Sequence, residues 1–145
     1  MIALDTNVVS EILRPQPSIA VLAWLDAQVA NELWLTSTIA AELMFGVARL
    51  PDGARKQRLA LAVSAMLDAD FAERVLPFDL AAASVYAELL ASRERAGQSL
   101  AMADAQIASV CLVHGAVLAT RNEKDFVGLG LTIVNPWGSN EPRRG

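Results

Sequence analysis

One cysteine, Cys111, and one histidine, His114, occur in 145 residues, and these two scarcities exclude a good deal. An intrachain disulfide, a zinc site built from several thiolates and a histidine-rich metal centre are all ruled out. A reducing cytoplasm suits such a chain. Cys111 and His114 stand three apart, but Cys111 lies in the apolar run Ile107 to Val113, where a thiol is commonly inert, and no third orienting group is evident. His114 directly before Gly115 reads instead as the last turn of a helix, with a cation at the negative end and a glycine stop. Long apolar runs are missing too. The most apolar stretch, Leu100 to Ala119, is interrupted by Asp104, His114 and Gly115, so no membrane span is expected. The first ten residues carry no basic cluster and Asp5 breaks the apolar stretch of a signal peptide, so export is not expected. A formal net charge of -4 argues against a sequence-independent basic glove for nucleic acid.

What is present is apolar. A hydrophobic content of 54% excludes a disordered chain, and 145 residues make one domain with room for a real core. The apolar surplus either covers a partner or reflects alanine-rich helices. Short apolar blocks at Ile2–Leu4, Leu33–Thr36, Arg74–Pro77, Ala116–Thr120 and Leu131–Val134 read as strands. Helical patterns lie between the first four, at Ile19–Val29, Ile39–Leu50, Leu59–Leu67, Leu80–Ala96 and Ala103–Val113. Strands separated by helices predict an α/β domain with a mostly parallel sheet covered on both faces. Asp79 is the expected N-cap of the helix that follows it.

Four carboxylates stand next to strand-like apolar runs or at the start of helices. Asp5 ends the first strand at a strand-to-helix corner, and Glu42 falls in the first two turns of a helix opened by Ser37–Thr38. Asp104 is near the start of a later helix, and Asp125 follows the strand-like Val117–Ala119 through Thr120–Lys124. An open parallel sheet binds its ligand beyond the carboxyl ends of its strands, where strand order reverses. If the first and fourth strands are neighbours there, all four acids meet. Taken singly, Asp5 and Asp104 read as helix caps rather than ligands, and Glu42 as a solvated helix residue. Taken together, four like charges repel unless a cation compensates, and oxygen-only ligands select Mg²⁺ or Mn²⁺. Such an ion suits phosphoryl chemistry. Arg49, Arg55, Lys56 and Arg58 gather in one segment and Arg121 and Lys124 flank Asp125; either group offers phosphate contacts or a solvated face.

The segments Asp5–Glu11, Glu42–Gly46, Ala103–Ala108 and Thr120–Phe126 resemble, in order, the four acidic motifs of the PIN-domain ribonucleases. More narrowly they are similar to the VapC toxins of toxin-antitoxin pairs, in the FitB-like subgroup, a likeness that the closing Gly130–Trp137 shares. It spans residues 1–137 and leaves 138–145 as a tail expected to be disordered. The resemblance implies a three-layer α/β/α fold with five parallel strands in the order 3-2-1-4-5. It also implies a homodimer, Mg²⁺- or Mn²⁺-dependent cleavage of RNA, and a small antitoxin through which alone DNA is reached. Asp5, Glu42 and Asp104 match the acids most regularly assigned to metal, and Asp125 a fourth whose role varies. Thr6, Asn7, Thr120 and Asn122 are candidates to orient ligands or waters around them. Ser99 departs from the subgroup, which often has proline there before the Asp104 helix.

Two rival enzyme readings are weaker. A phosphoaspartyl hydrolase pattern wants a second aspartate where Asn7 stands, and a receiver domain wants paired acids after its first strand and a lysine after its fifth. A rival from a different class is a non-catalytic module that binds a DNA-binding antitoxin and regulates its operon. Loss of an acid would favour it, and all four are present.

Overall fold

The computed structural model describes residues 1–138 and 142–145. Strands β1 (Ile2–Leu4), β2 (Leu33–Thr36), β3 (Val75–Leu76), β4 (Val117–Ala119) and β5 (Thr132–Val134) form a parallel sheet in the order β3-β2-β1-β4-β5. Helices α1 (Thr6–Ile12), α2 (Ile19–Asp26), α3 (Ser37–Ala48), α4 (Ala54–Ala65), α5 (Leu80–Arg95), α6 (Met102–His114) and α7 (Glu123–Phe126) connect them. The order predicted from the family resemblance is the order found. Strand order reverses between β1 and β4, so right-handed crossovers place α1 to α4 on one face and α5 to α7 on the other. The packing agrees: α1 meets α2 and α3, α3 meets α4, and α6 meets α5 and α7.

The strands are short, and side chains buried on both faces hold them. Ala3, Leu4, Leu35, Leu118 and Ala119 are almost wholly excluded from solvent, packed between Val8, Val9 and Val21 of the first layer and Ile107, Ala108 and Cys111 of α6. Registers Ile2↔Val117, Ala3↔Leu118 and Leu4↔Ala119 align the ends of β1 and β4, so whatever follows Leu4 sits beside whatever follows Ala119. The backbone N–H of Asp5 continues the ladder into Ala119 at 2.9 Å.

Helix ends follow local chemistry. Ser18, Thr36 and Asp79 cap α2, α3 and α5 by accepting from the backbone N–H groups of Val21, Ile39 and Ala82 in the first turn of each helix. Gly115, at φ 63°, closes α6 after His114 in the left-handed conformation that glycine adopts without cost. Helix α4 starts at Ala54, five residues before the apolar pattern that begins at Leu59, because its first turn is charged and exposed and carries no periodicity to read. Helix α2 stops at Asp26, three residues short of the pattern's end.

The tail expected to be disordered over 138–145 needs partial correction. Arg143–Arg144 form a further strand, β6, antiparallel to β5 with Thr132↔Arg144 and Ile133↔Arg143 paired. Gly145 closes the pairing through Gly130 and Leu131, so the edge of β5 finds backbone partners that composition does not advertise. Residues 139–141 of that expectation lie outside the described residues. Among the described residues no helix is long and apolar enough to cross a membrane.

Candidate active site

Asp5 is 5% exposed at the carboxyl end of β1, and its side chain is fixed from three directions. Oδ1 accepts from its neighbour Thr6 N–H at 2.8 Å, which makes Asp5 the cap of α1. Oδ2 accepts from Thr120 Oγ1 at 2.7 Å and from Asn7 Nδ2 at 3.1 Å. Cap and candidate ligand are therefore one residue rather than alternatives. Burial pushes the Asp5 carboxyl above its ordinary pKa and the nearby Asp125 charge adds to that, while the three hydrogen bonds oppose it.

Thr120 is fully buried just after β4, and it joins the two halves of the site. Besides donating to Asp5, its hydroxyl oxygen receives Asn7 Nδ2 at 3.3 Å and the Asn122 backbone N–H at 3.0 Å. Asn7 Oδ1 in turn accepts the Arg121 backbone N–H at 3.1 Å, so α1 and the segment after β4 are held together through side chains. Thr6, Asn7 and Thr120 thus each hydrogen-bond a candidate acid through a side chain. Asn122 joins through its backbone, and its side chain caps no helix.

Glu42 lies on α3, half-buried, with Oε1 accepting from Thr6 Oγ1 at 2.8 Å. Helix α3 is set against α6 by Thr38 Oγ1, which donates to Gln106 Oε1 at 3.0 Å. That contact brings the first turn of α6, and with it Asp104, towards Glu42. Asp104 is not a cap: Ala101 occupies the cap position without a side-chain bond. Its pKa is pushed up from 3.8 to about 6, by burial first and then by the charges of Asp5, Asp125 and Glu42, with nothing that lowers it. Asp125 sits exposed on α7, beside Phe126, whose fully buried ring anchors that one-turn helix to the core. Asp104 thus lies within electrostatic reach of the other three acids, and Asp5 within reach of Asp125. Among the described residues no three of them converge on one ligating point as they stand. Unneutralised carboxylates repel, and the donor set still fits a hard cation of the Mg²⁺ kind, which usually takes one or two carboxylates directly and keeps several waters.

Beside the site lies a groove of ≈ 1230 Å³, lined by one of the four acids, Glu42, together with Thr6, Asn7 and the guanidinium residues Arg14, Arg55, Arg58 and Arg121. The basic segment for which phosphate contacts and a solvated face were both open is split. Arg55 and Arg58 face the groove, whereas Lys56 Nζ donates to Ala48 O at 3.1 Å and pairs with Asp52 at 3.4 Å, and the Arg49 guanidinium lies 5.7 Å from the centre of the Phe45 ring. Arg14, Glu11 and Trp137 also line the groove, and sequence reasoning gave none of them a role of its own. Glu11 is nearly buried, with Arg14 Nη1 at 3.0 Å holding its pKa down and Ser18 N–H bonded at 3.0 Å. The three-residue spacing of Glu11 and Arg14 was the available signal. Cys111 is wholly buried and its thiol is pushed up to about 12 by burial and then by the Asp5 charge, which leaves it no nucleophilic role.

The PIN domain family model matches residues 2–129. A protein named VapC ribonuclease Y4jK from Sinorhizobium fredii is 43% identical over 137 residues, covering 94% of this chain and 98% of the relative. Toxin FitB from Neisseria gonorrhoeae is 39% identical over 137 residues, covering 94% and 99%. The solved structure of FitAB bound to an IR36 DNA fragment contains a chain that superposes with a TM-score of 0.90 at 38% identity, covering 97% of this chain and 99% of that one.

Proposed function

The chain belongs to the PIN-domain family, and from that premise we propose that it is the toxin of a toxin-antitoxin pair, a divalent-metal-dependent endoribonuclease. One observation carries the reading: strand order and the Asp5–Thr120 and Thr6–Glu42 hydrogen bonds bring acids from separate stretches of chain to the carboxyl end of the sheet, where the Asp104 carboxyl is raised by burial first and then by the charges of Asp5, Asp125 and Glu42. A fold gathers like charges at a cost, and a cation site is the simplest reason to do so. Asp5, Glu42 and Asp104 would hold Mg²⁺ or Mn²⁺, with Asp125 at the rim. When bound, the ion would polarise a phosphate oxygen, acidify a water and offset charge on the leaving oxygen.

The protein's own groups do the rest. Thr120, Asn7 and the Thr6 N–H lock the Asp5 carboxylate in one orientation, and the Thr6 hydroxyl engages Glu42 Oε1 while leaving Oε2 to the site. Because the Asp104 carboxyl is raised to about 6, a proton there would compete with a cation, and metal affinity should rise with pH through that value. Arg14, Arg55, Arg58 and Arg121 line the path a phosphodiester backbone would follow to the acids. Attack by water in line with the leaving 3′ oxygen yields a 5′-phosphate and a 3′-hydroxyl. The cell-level reading is a homodimer held in check by a small antitoxin, with DNA reached through that antitoxin, in keeping with the FitAB–DNA complex it resembles.

The test is cleavage of defined RNAs with Mg²⁺, with Mn²⁺ and with excess EDTA, beside an Asp5→Asn variant. Metal-dependent cutting with 5′-phosphate ends, lost in the variant, is expected. Full activity in EDTA, or 2′,3′-cyclic ends, would refute the mechanism.

A further inference from the structure

Arg121 and Trp137 sit at the groove wall with the Arg121 guanidinium carbon 5.0 Å from the centre of the indole ring. Arg121 is exposed, and a free arginine there would sample many rotamers. The ring confines it. Both backbones are also anchored to elements that carry the acids. The Arg121 N–H is bonded to Asn7 Oδ1, next to Asp5. The Trp137 N–H donates to Asn135 Oδ1 at 2.9 Å, and Asn135 Nδ2 donates to Glu123 Oε2 at 3.1 Å on α7, the helix of Asp125. The pair therefore stands at a fixed offset from the four carboxylates. Trp137 also packs against the hydrophobic core, and that packing does not require a guanidinium over its ring.

We propose that Arg121 and Trp137 form a nucleotide-holding stack that seats one unpaired base of the RNA beside the acidic pocket and so sets which phosphodiester is cut. The inference rests on the nuclease reading and goes beyond it. A guanidinium layered on an indole offers a planar surface to a base and N–H donors to the adjoining phosphate, the combination by which proteins grip single-stranded RNA. Charge favours RNA over a bare apolar helix as occupant, because Arg55 and Arg58 line the same groove and can meet phosphates. A base stacks whatever its identity, with larger purines gaining more, so the preference would be for an unpaired purine at a fixed distance from the cut.

The experiment uses the full chain carrying Asp5→Asn, in EDTA, with short single-stranded RNAs that bear one 2-aminopurine at successive positions. Quenching confined to one or two positions, lost in Trp137→Leu and kept in Trp137→Phe, is the expected result. Affinity should fall about 5- to 100-fold in Trp137→Leu, the span that loss of one base stack produces. Arg121→Lys, an exposed change that spares the fold, keeps the charge but not the plane; in the otherwise unaltered enzyme it should raise KM and broaden the set of cut sites more than it lowers kcat. Unchanged quenching and cut sites in folded Trp137→Leu and Arg121→Lys, while RNA is still cleaved, would overturn the stack and leave the nuclease standing. Variants that keep RNA behaviour but lose the antitoxin would assign this wall to the protein partner instead. A parent that neither binds nor cuts RNA would overturn both readings.

Discussion

Replacing Asp104 by asparagine should make the metal-free protein more stable at neutral pH, although the change touches the most perturbed acid of the site. The ordinary carboxyl value of 3.8 is raised to about 6 in the fold. At full strength that difference corresponds to about 3 kcal/mol of penalty on the charged form. Asp104 is only partly shielded from water, so screening reduces this to about 1–2 kcal/mol. Its charge also lies in the first turn of α6, where interaction with the helix N-terminus returns about 0.5 kcal/mol. The Asp104→Asn substitution would remove both effects, for a net gain of about 1 kcal/mol, or a melting temperature about 3 °C higher in a domain of this size.

The pH window tests the cause. Below the unfolded value near 3.8 both states are protonated and the penalty vanishes; between there and about 6 the unfolded chain loses its proton first, so the parent loses stability as pH rises; above about 6 the full penalty stands. The advantage of Asp104→Asn in EDTA should therefore appear between about pH 4 and 6 and level off above. Mg²⁺ should reverse the order, since a cation at about a hundred times its dissociation constant stabilises the parent by about 2.7 kcal/mol and a weakened site by less. Melts by circular dichroism across pH, with and without Mg²⁺, measure all of this. An Asp104→Asn variant that melts below the parent in EDTA well above the Asp104 pKa, or whose advantage does not shrink as pH falls towards the ordinary carboxyl value, refutes the charge-crowding argument.

Thr120→Val should cost about 1–3 kcal/mol by urea denaturation, because the buried hydroxyl serves Asp5, Asn7 and Asn122 at once, and RNase activity should fall about 10- to 100-fold even where the protein is fully folded. Cys111 should resist iodoacetamide in mildly alkaline buffer in the native protein and react on unfolding; rapid native labelling would contradict its burial. An antitoxin should insert an arginine or lysine among Asp5, Glu42, Asp104 and Asp125 while its apolar helix packs on this domain, so Mg²⁺ should compete with the basic side chain without releasing the helix. Alanine at each candidate basic residue of the co-purified antitoxin tests this, and full inhibition by every such variant would mean that the RNA path is simply covered.

Local chemistry was legible in the chain. The bounds of β1 and β2, the Asp79 cap, the glycine stop after His114 and the inert setting of Cys111 each depend on a few neighbouring residues, whose steric and hydrogen-bonding preferences act within a turn or a strand. The four acids stood out because Asp5 and Asp125 follow strand-like runs and Glu42 and Asp104 lie in the early turns of helices, and strand order followed from the family resemblance. What only tertiary structure decided spans long separations: the pairing of β1 with β4 that lays Asp5 against Thr120, the Thr6 bond to Glu42, and the seating of Arg121 against Trp137. Asn122 acts through its backbone and not its side chain, which no residue type announces. Arg55 and Arg58 face the groove while Arg49 and Lys56 turn to Phe45, Ala48 and Asp52, a division fixed by where α4 begins. The strand at Arg143–Arg144 reads as loose polar tail until the open edge of β5 is present to pair with it. Sequence sets what each segment can become at short range; which groups share a site is set by sheet order, because only there do residues more than a hundred positions apart come within hydrogen-bonding distance.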